Sequence, residues 1–179
     1  MGQEVSADET CGYRVLNVLP RSPGTEARLD PYFDFILEAA GARLDRQDGT
    51  FTEIIQRHAG KKLDLLVYNC RTDTERKVKL FPRSDWGGEG LLGITIRFDT
   101  FIDGVDGAIH VLDVEENSPA QLAGLRSHTD YLLGTVDSSF QSDEDLAQVC
   151  QDNIGKPTEL FVYSATDRAV RTVTLTPGY

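Results

Sequence analysis

The spacing of apolar residues changes character several times in the first eighty positions, and each change predicts an element. Tyr13–Val18 alternates and is rich in β-branched residues, which predicts a strand that ends at Pro20 and Ser22-Pro23. Thr25–Leu29 predicts a short helical turn closed before Pro31. Phe33–Glu38 predicts a second strand, with Phe33, Phe35 and Leu37 on one face and Ile36 between them. From Gly49 to His58 the period lengthens: Phe51, Ile54, Ile55 and His58 recur every three or four residues and make one face of a helix. Thr50 and Glu53 stand at capping-box spacing, which predicts Thr50 as the N-cap, and Gly60 stops the helix. Leu63–Asn69 and Glu75–Phe81 return to alternation around the polar turn Arg71-Thr72-Asp73.

The same sequence of elements then recurs. At an offset of 96, Tyr13–Val18 falls on Ile109–Val114, Ser22-Pro23 on Ser118-Pro119, Leu29 on Leu125 and Asp34 on Asp130. After one residue is lost from the second copy, Leu65–Tyr68 falls on Leu160–Tyr163, Arg76 on Arg171, Val78 on Val173 and Pro82 on Pro177. Four blocks in order with one gap identify an internal duplication. Its period is too long for a solenoid repeat and suits a small domain. The second copy therefore predicts a strand over Ile109–Val114, a short helix with Pro119 at its first position and a strand over Tyr131–Thr135. A helix over Asp143–Cys150, capped by Ser142 with Asp145 three residues on, and strands over Glu159–Ser164 and Ala169–Thr176 complete it.

Between the copies, the glycine-rich run Trp86–Gly93 leads into the alternating stretch Ile94–Phe98. Three readings of this run are open. A nucleotide phosphate loop lacks GxxxxGK[ST], a following helix and an acidic ribose ligand. A purely structural turn is the second. The third and strongest is a backbone nest in which Gly90–Gly93 present N–H groups to a peptide carboxylate and feed the peptide onto the strand by β-augmentation.

Charge narrows the partners. Lys/Arg number 18 against 29 Asp/Glu, a net of −11, which argues against nucleic acid. The copies differ: residues 13–84 hold 13 Lys/Arg and 10 Asp/Glu, whereas residues 108–179 hold 4 and 11. That asymmetry allows a basic copy to face an acidic one of a neighbour. No stretch is long and apolar enough to span a membrane. Cys11, Cys70 and Cys150 form no disulfide framework and no metal spacing. His58, His110 and His128 have no metal or triad context, so no catalytic residue, metal or cofactor is expected. Met1-Gly2-Gln3-Glu4-Val5-Ser6 satisfies the MGxxx[ST] pattern of N-myristoylation at Gly2.

Asn117-Ser118-Pro119-Ala120 with Ala123-Gly124-Leu125, and the sister run Arg21–Gly24, resemble the loop and short helix of PDZ domains. Gly90-Leu91-Leu92-Gly93 resembles their carboxylate-binding loop, here after the other strands of its domain, as in a circularly permuted fold. Two such units, the N-terminal acylation pattern and the Trp86–Phe98 joint together resemble the GRASP family, the Golgi reassembly and stacking proteins. The resemblance implies a mainly β fold with short helices, as two circularly permuted PDZ-like domains in tandem. The segments would be residues 1–12 for lipidation, 13–104 for the first domain with its glycine-rich loop, and 105–179 for the second, without a loop and groove strand of its own. It implies a non-enzymatic, myristoylated protein on the cytoplasmic face of Golgi membranes that self-associates in trans, binds C-terminal tails such as those of golgins, and serves unconventional secretion. The groove it implies maps onto Gly90, Leu91, Leu92, Gly93, Ile94 and Ile96 on the strand side and Ile54, Ile55 and His58 on the helix side. At two positions where some relatives carry potential metal ligands, this chain has Arg14 and Asp99. A soluble PDZ adaptor outside the Golgi is the alternative reading.

Overall fold

Alternation at Cys11–Val18 (β1) and the longer apolar run at Asp34–Ala39 (β2) set the centre of the first sheet in a computed structural model that describes residues 10–102 and 105–178. The acylation pattern at Gly2 lies outside the described residues. The chain divides into two compact units, Met1–Gly104 and Val105–Tyr179.

In the first unit, β1 and β2 are followed by the short β3 (Ala42–Arg43), then Leu63–Asn69 (β4), Thr74–Leu80 (β5) and Ile94–Thr100 (β6). The sheet order is β5-β4-β2-β1-β6, with β3 paired to β2. All principal pairs are antiparallel. The helices are α1 (Pro23–Glu26) and α2 (Thr50–Arg57). Tyr13, Val15, Ile36, Phe51, Ile54, Leu65 and Val67 belong to one core, in which the Tyr13 ring lies 5.3 Å from Phe51 and 5.4 Å from Phe98.

Two local expectations change. Strand β2 is covered on both faces and not on one: Phe35, Ile36 and Leu37 are all buried. Ile36 enters the core, while Phe35 lies under Phe101 at 5.9 Å and beside the Arg14 guanidinium, which is sandwiched between the Tyr32 and Phe35 rings at 4.3 and 4.5 Å. Thr50 is not the N-cap of α2. Gly49 occupies that position in the left-handed region at φ 81°, and the Thr50 N–H donates to Asp48 Oδ1 at 3.1 Å. Glu53 turns outward to Arg57 at 3.3 Å, so no capping box forms. A glycine reaches this backbone geometry without the Cβ penalty that Thr50 would meet.

The second unit holds Ile109–His110 (β7), Pro119–Leu122 (α3), Asp130–Gly134 (β8), Asp143–Asp152 (α4), Thr158–Ser164 (β9) and Ala169–Leu175 (β10), in sheet order β10-β9-β8-β7. The strand expected over 109–114 shrinks to two residues. β1 is zipped on both edges, by β2 and along its whole length by β6, whereas β7 pairs with β8 alone among the described residues. One short ladder does not hold six residues extended.

The duplication reaches individual hydrogen bonds. Ser22 and Ser118 cap α1 and α3 by accepting from Thr25 N–H and Gln121 N–H, each at 3.2 Å, with proline following each cap. Asp34 and Asp130, both fully buried, each take a forked pair of bonds from an arginine, Arg76 of β5 and Arg171 of β10. Each arginine also donates to a carbonyl at equivalent positions, Arg28 and Gly124.

Candidate peptide-binding groove

The run Gly90–Gly93 is held by its carbonyls. Trp86 Nε1–H donates to Gly90 O at 2.9 Å, Arg83 N–H to Leu91 O at 3.0 Å, Gly24 N–H to Leu92 O at 2.9 Å and Leu19 N–H to Gly93 O at 2.8 Å. Among the described residues, none of the four N–H groups of the run donates to a protein acceptor. All four acceptors are thus satisfied from within while the donors have no protein partner among the described residues, which is the polarity a carboxylate requires.

Small residues allow this packing. Gly93 sits at φ 65°, where a Cβ would strike Ser22, and a Cβ at Gly24 would strike the Ile94 side chain. Ser22 is itself fully buried, so α1 is clamped directly against the loop. Arg83 ties the loop's approach to α1 through two bonds to Glu26, at 2.6 and 2.7 Å. The hydrogen bond from Arg83 holds the Glu26 carboxyl below its ordinary range.

Beyond the loop, β6 is an edge strand. One edge pairs with β1 from Val18↔Ile94 to Cys11↔Thr100, and among the described residues no strand pairs with the other. A cleft of about 260 Å³ opens beside it, lined by Gly90, Leu91, Leu92, Gly93, Ile94 and Ile96 from the loop and strand and by Ile55 from α2. Leu19, Glu89 and Thr95 also line it and were not anticipated. Leu19 is exposed despite its size and follows directly on β1, where an apolar residue next to a proline reads as the end of a strand. Ile54 lies beneath the cleft in the core. His58 is half-buried with Nδ1 2.7 Å from Ile54 O, so its ring is committed to the end of α2 and does not line the cleft. Of the three helix residues expected there, Ile55 lines the cleft, Ile54 turns into the core and His58 is held at the end of α2.

At the far end of β6, Arg14 Nε lies 3.3 Å from Asp99 Oδ2, and Arg97 donates to the same oxygen at 2.9 Å. Burial pulls the Arg14 guanidinium below its usual pKa, with Tyr32 and Asp99 acting in the opposite direction. The two positions form an ion pair that pins β6 to the rest of its sheet. Among the described residues no group of three or more His, Cys, Asp or Glu could hold a metal ion.

In the second unit an apolar cleft of about 400 Å³ lies beside β7, lined by residues including Ile109, Val111, Leu125, Leu146 and Cys150. No strand among the described residues occupies the place that β6 takes in the first unit.

The profile of the family described as "GRASP55/65 PDZ-like domain" matches the chain twice, over residues 3–101 and 88–179. Golgi reassembly-stacking protein 1 of Homo sapiens is 39% identical over 182 residues, covering 99% of this chain and 41% of that protein. The protein of the same name from Mus musculus is 38% identical, covering 99% and 40%. An uncharacterized protein, C1D4.02c, of Schizosaccharomyces pombe is 28% identical, covering 96% and 48%. The chain thus spans less than half the length of these relatives. Matched along both units, with mainly β sheets and short helices in tandem, the chain belongs to the GRASP55/65 PDZ-like domain family.

Proposed function

We propose that this chain is a non-catalytic scaffold that works at the cytoplasmic face of Golgi membranes, where it binds protein C-terminal tails and self-associates to tether membranes. The observation that carries the reading is the combination of a free edge on β6 with a loop whose carbonyls are satisfied and whose N–H groups are not. A peptide added to β6 would continue the sheet, place its terminal carboxylate on the N–H groups of Gly90–Gly93, and lower its last side chain between Ile55, Leu91 and Ile96. Golgins are the expected class of tail. The similarity to Golgi reassembly-stacking proteins supports the Golgi location and the stacking role. Myristoylation at Gly2 would supply the membrane anchor, and one such chain binds membranes only marginally and reversibly. Association of two copies in trans would then join two membranes through two anchors.

Tethering tests the reading. Chain co-expressed with an N-myristoyltransferase should gain one myristoyl group and cluster vesicles. Gly2→Ala should abolish both effects, and Ile96→Asp should abolish clustering while leaving the acyl group in place. Acylated chain that sediments as a monomer at all concentrations and leaves vesicles dispersed would contradict the tethering role.

A further inference from the structure

The first sheet has two ends with different chemistry. β1 and β4 run one way and β2, β5 and β6 the other, since every neighbouring pair is antiparallel. The groove loop therefore lies at the end where Val18 meets Ile94, and β1 begins at the opposite end, where Cys11 meets Thr100. Strand β6, seven residues long, separates the two by roughly 20 Å.

That opposite end is cationic. The β2–β3 turn at Gly41, the start of β4 and the end of β5 come together there around a cleft of about 500 Å³. It is lined by Lys62, Lys77 and Lys79 together with the half-buried Leu66, whereas the Leu65 side chain belongs to the core. Lys62 has a long ion pair with Asp64 at 3.9 Å. Lys77 and Lys79 are exposed, and among the described residues neither has a carboxylate within pairing distance. Glu38 and Asp64 also line the cleft, so the unneutralised charge sits on the β5 side. This local excess of lysine runs against the net charge of the whole chain, which is −11.

We propose that the lysine-rimmed end of the first sheet, Lys62, Lys77 and Lys79, docks onto an anionic lipid surface. Two observations select a membrane as the occupant. β1 starts at this end, so residues 1–9, with Gly2 of the acylation pattern, are attached to the sheet here and can reach at most about 30 Å from it. Lysines on an exposed edge strand with half-buried leucine between them also match a flat anionic surface better than a shaped ligand, since each ammonium acts as an independent point charge. The arrangement would supply the second attraction that a single acyl chain needs. The inference rests on the reading of the chain as a peripheral membrane protein.

Vesicle co-sedimentation of the whole chain tests it, with phosphatidylcholine alone or mixed with phosphatidylserine, at low and at physiological salt, with and without the acyl group. Unacylated chain should bind only the mixed vesicles and release in salt. Lys62→Gln/Lys77→Gln/Lys79→Gln should lower binding roughly fivefold per lysine, on the order of a hundredfold together. Arg126→Gln/Lys156→Gln/Arg168→Gln, three exposed cations of the second unit, makes the same change in net charge and should leave binding unchanged. Peptide binding by the lysine variant should persist, showing that the sheet is intact. Equal loss from both triple variants, or equal binding to neutral and anionic vesicles, would overturn the proposal. So would a lysine variant that keeps vesicle binding but loses self-association, which would assign the patch to a second copy of the chain. Acylated chain that reaches Golgi-like membranes with the lysines neutralised would preserve the anchor reading and sink this one.

Discussion

Arg171 reaches across the second sheet to Asp130 with a forked pair of hydrogen bonds, one of them 3.0 Å from Nη1 to Oδ1. The carboxylate is completely buried and also accepts the Arg126 N–H at 2.9 Å. Burial alone would raise the Asp130 pKa, but the bonds from Arg171 and Arg126 outweigh it and hold the group below the ordinary carboxylate value. A carboxyl with a depressed folded pKa contributes stability above its unfolded pKa and loses it as pH falls through the folded one. The second unit should therefore weaken progressively below about pH 4. Asp130→Asn should cost about 3 kcal/mol at neutral pH, because Arg171 is left facing an amide, and should flatten the acid limb. Denaturant titrations at pH 7 and through the acid range, followed by the NMR signals of Tyr131 and Tyr163, read both effects.

Helix α2 gives a sharper contrast because the sequence and the structure assign its cap to different residues. If Asp48 and Gly49 start the helix, Asp48→Ala should lower the melting temperature more than Thr50→Ala does. A capping box centred on Thr50 would reverse that order. Thermal melts of the two variants decide between them.

The loop makes its own demand on one glycine. Gly93→Ala places a Cβ against Ser22 at a backbone angle that costs a non-glycine residue roughly 1–2 kcal/mol even without the collision. Peptide affinity should fall with it, since the Leu19 and Gly24 bonds that hold the loop carbonyls would have to shift. Parallel melts and peptide titrations should show loss of binding at temperatures where the fold persists.

Much of this was legible in the chain. Two copies matched block by block, Pro119 at the first position of α3 and the alternation of β4 and β5 need only local chemistry, and each reads directly from residues such as Pro119, Leu65 and Val67. The first short helix is displaced from the expected Thr25–Leu29 to Pro23–Glu26, because Ser22-Pro23, which the pattern marks as the end of a strand, caps and starts it. The glycine-rich loop beside a strand also marked where a cleft would form. Features that depend on neighbours distant in sequence were harder to see. That Phe35 as well as Ile36 is buried depends on Arg14 of β1 and on Phe101, just past the end of β6. The strand at 109–114 failed to persist because alternation cannot reveal a missing partner. His58 sits in the right stripe of α2, yet its ring nitrogen is tied to Ile54 O, and the helical period carries no sign of that bond. Leu19 had no periodic signal and joins the cleft through a single backbone bond to Gly93.

Titration calorimetry with a matched pair of peptides, one ending in a free carboxylate after a hydrophobic residue and one ending in the C-terminal amide, tests the groove most directly. If the N–H groups of Gly90–Gly93 receive a carboxylate, the free acid should bind and the amide should bind at least tenfold more weakly, since a charge-assisted hydrogen bond is worth roughly 1.5–3 kcal/mol. Ile96→Asp should remove most of the affinity for the acid by placing a charge where the terminal side chain must pack. Equal affinity for acid and amide, both lost together in Ile96→Asp, would leave a peptide groove but contradict its account as a carboxylate-binding one.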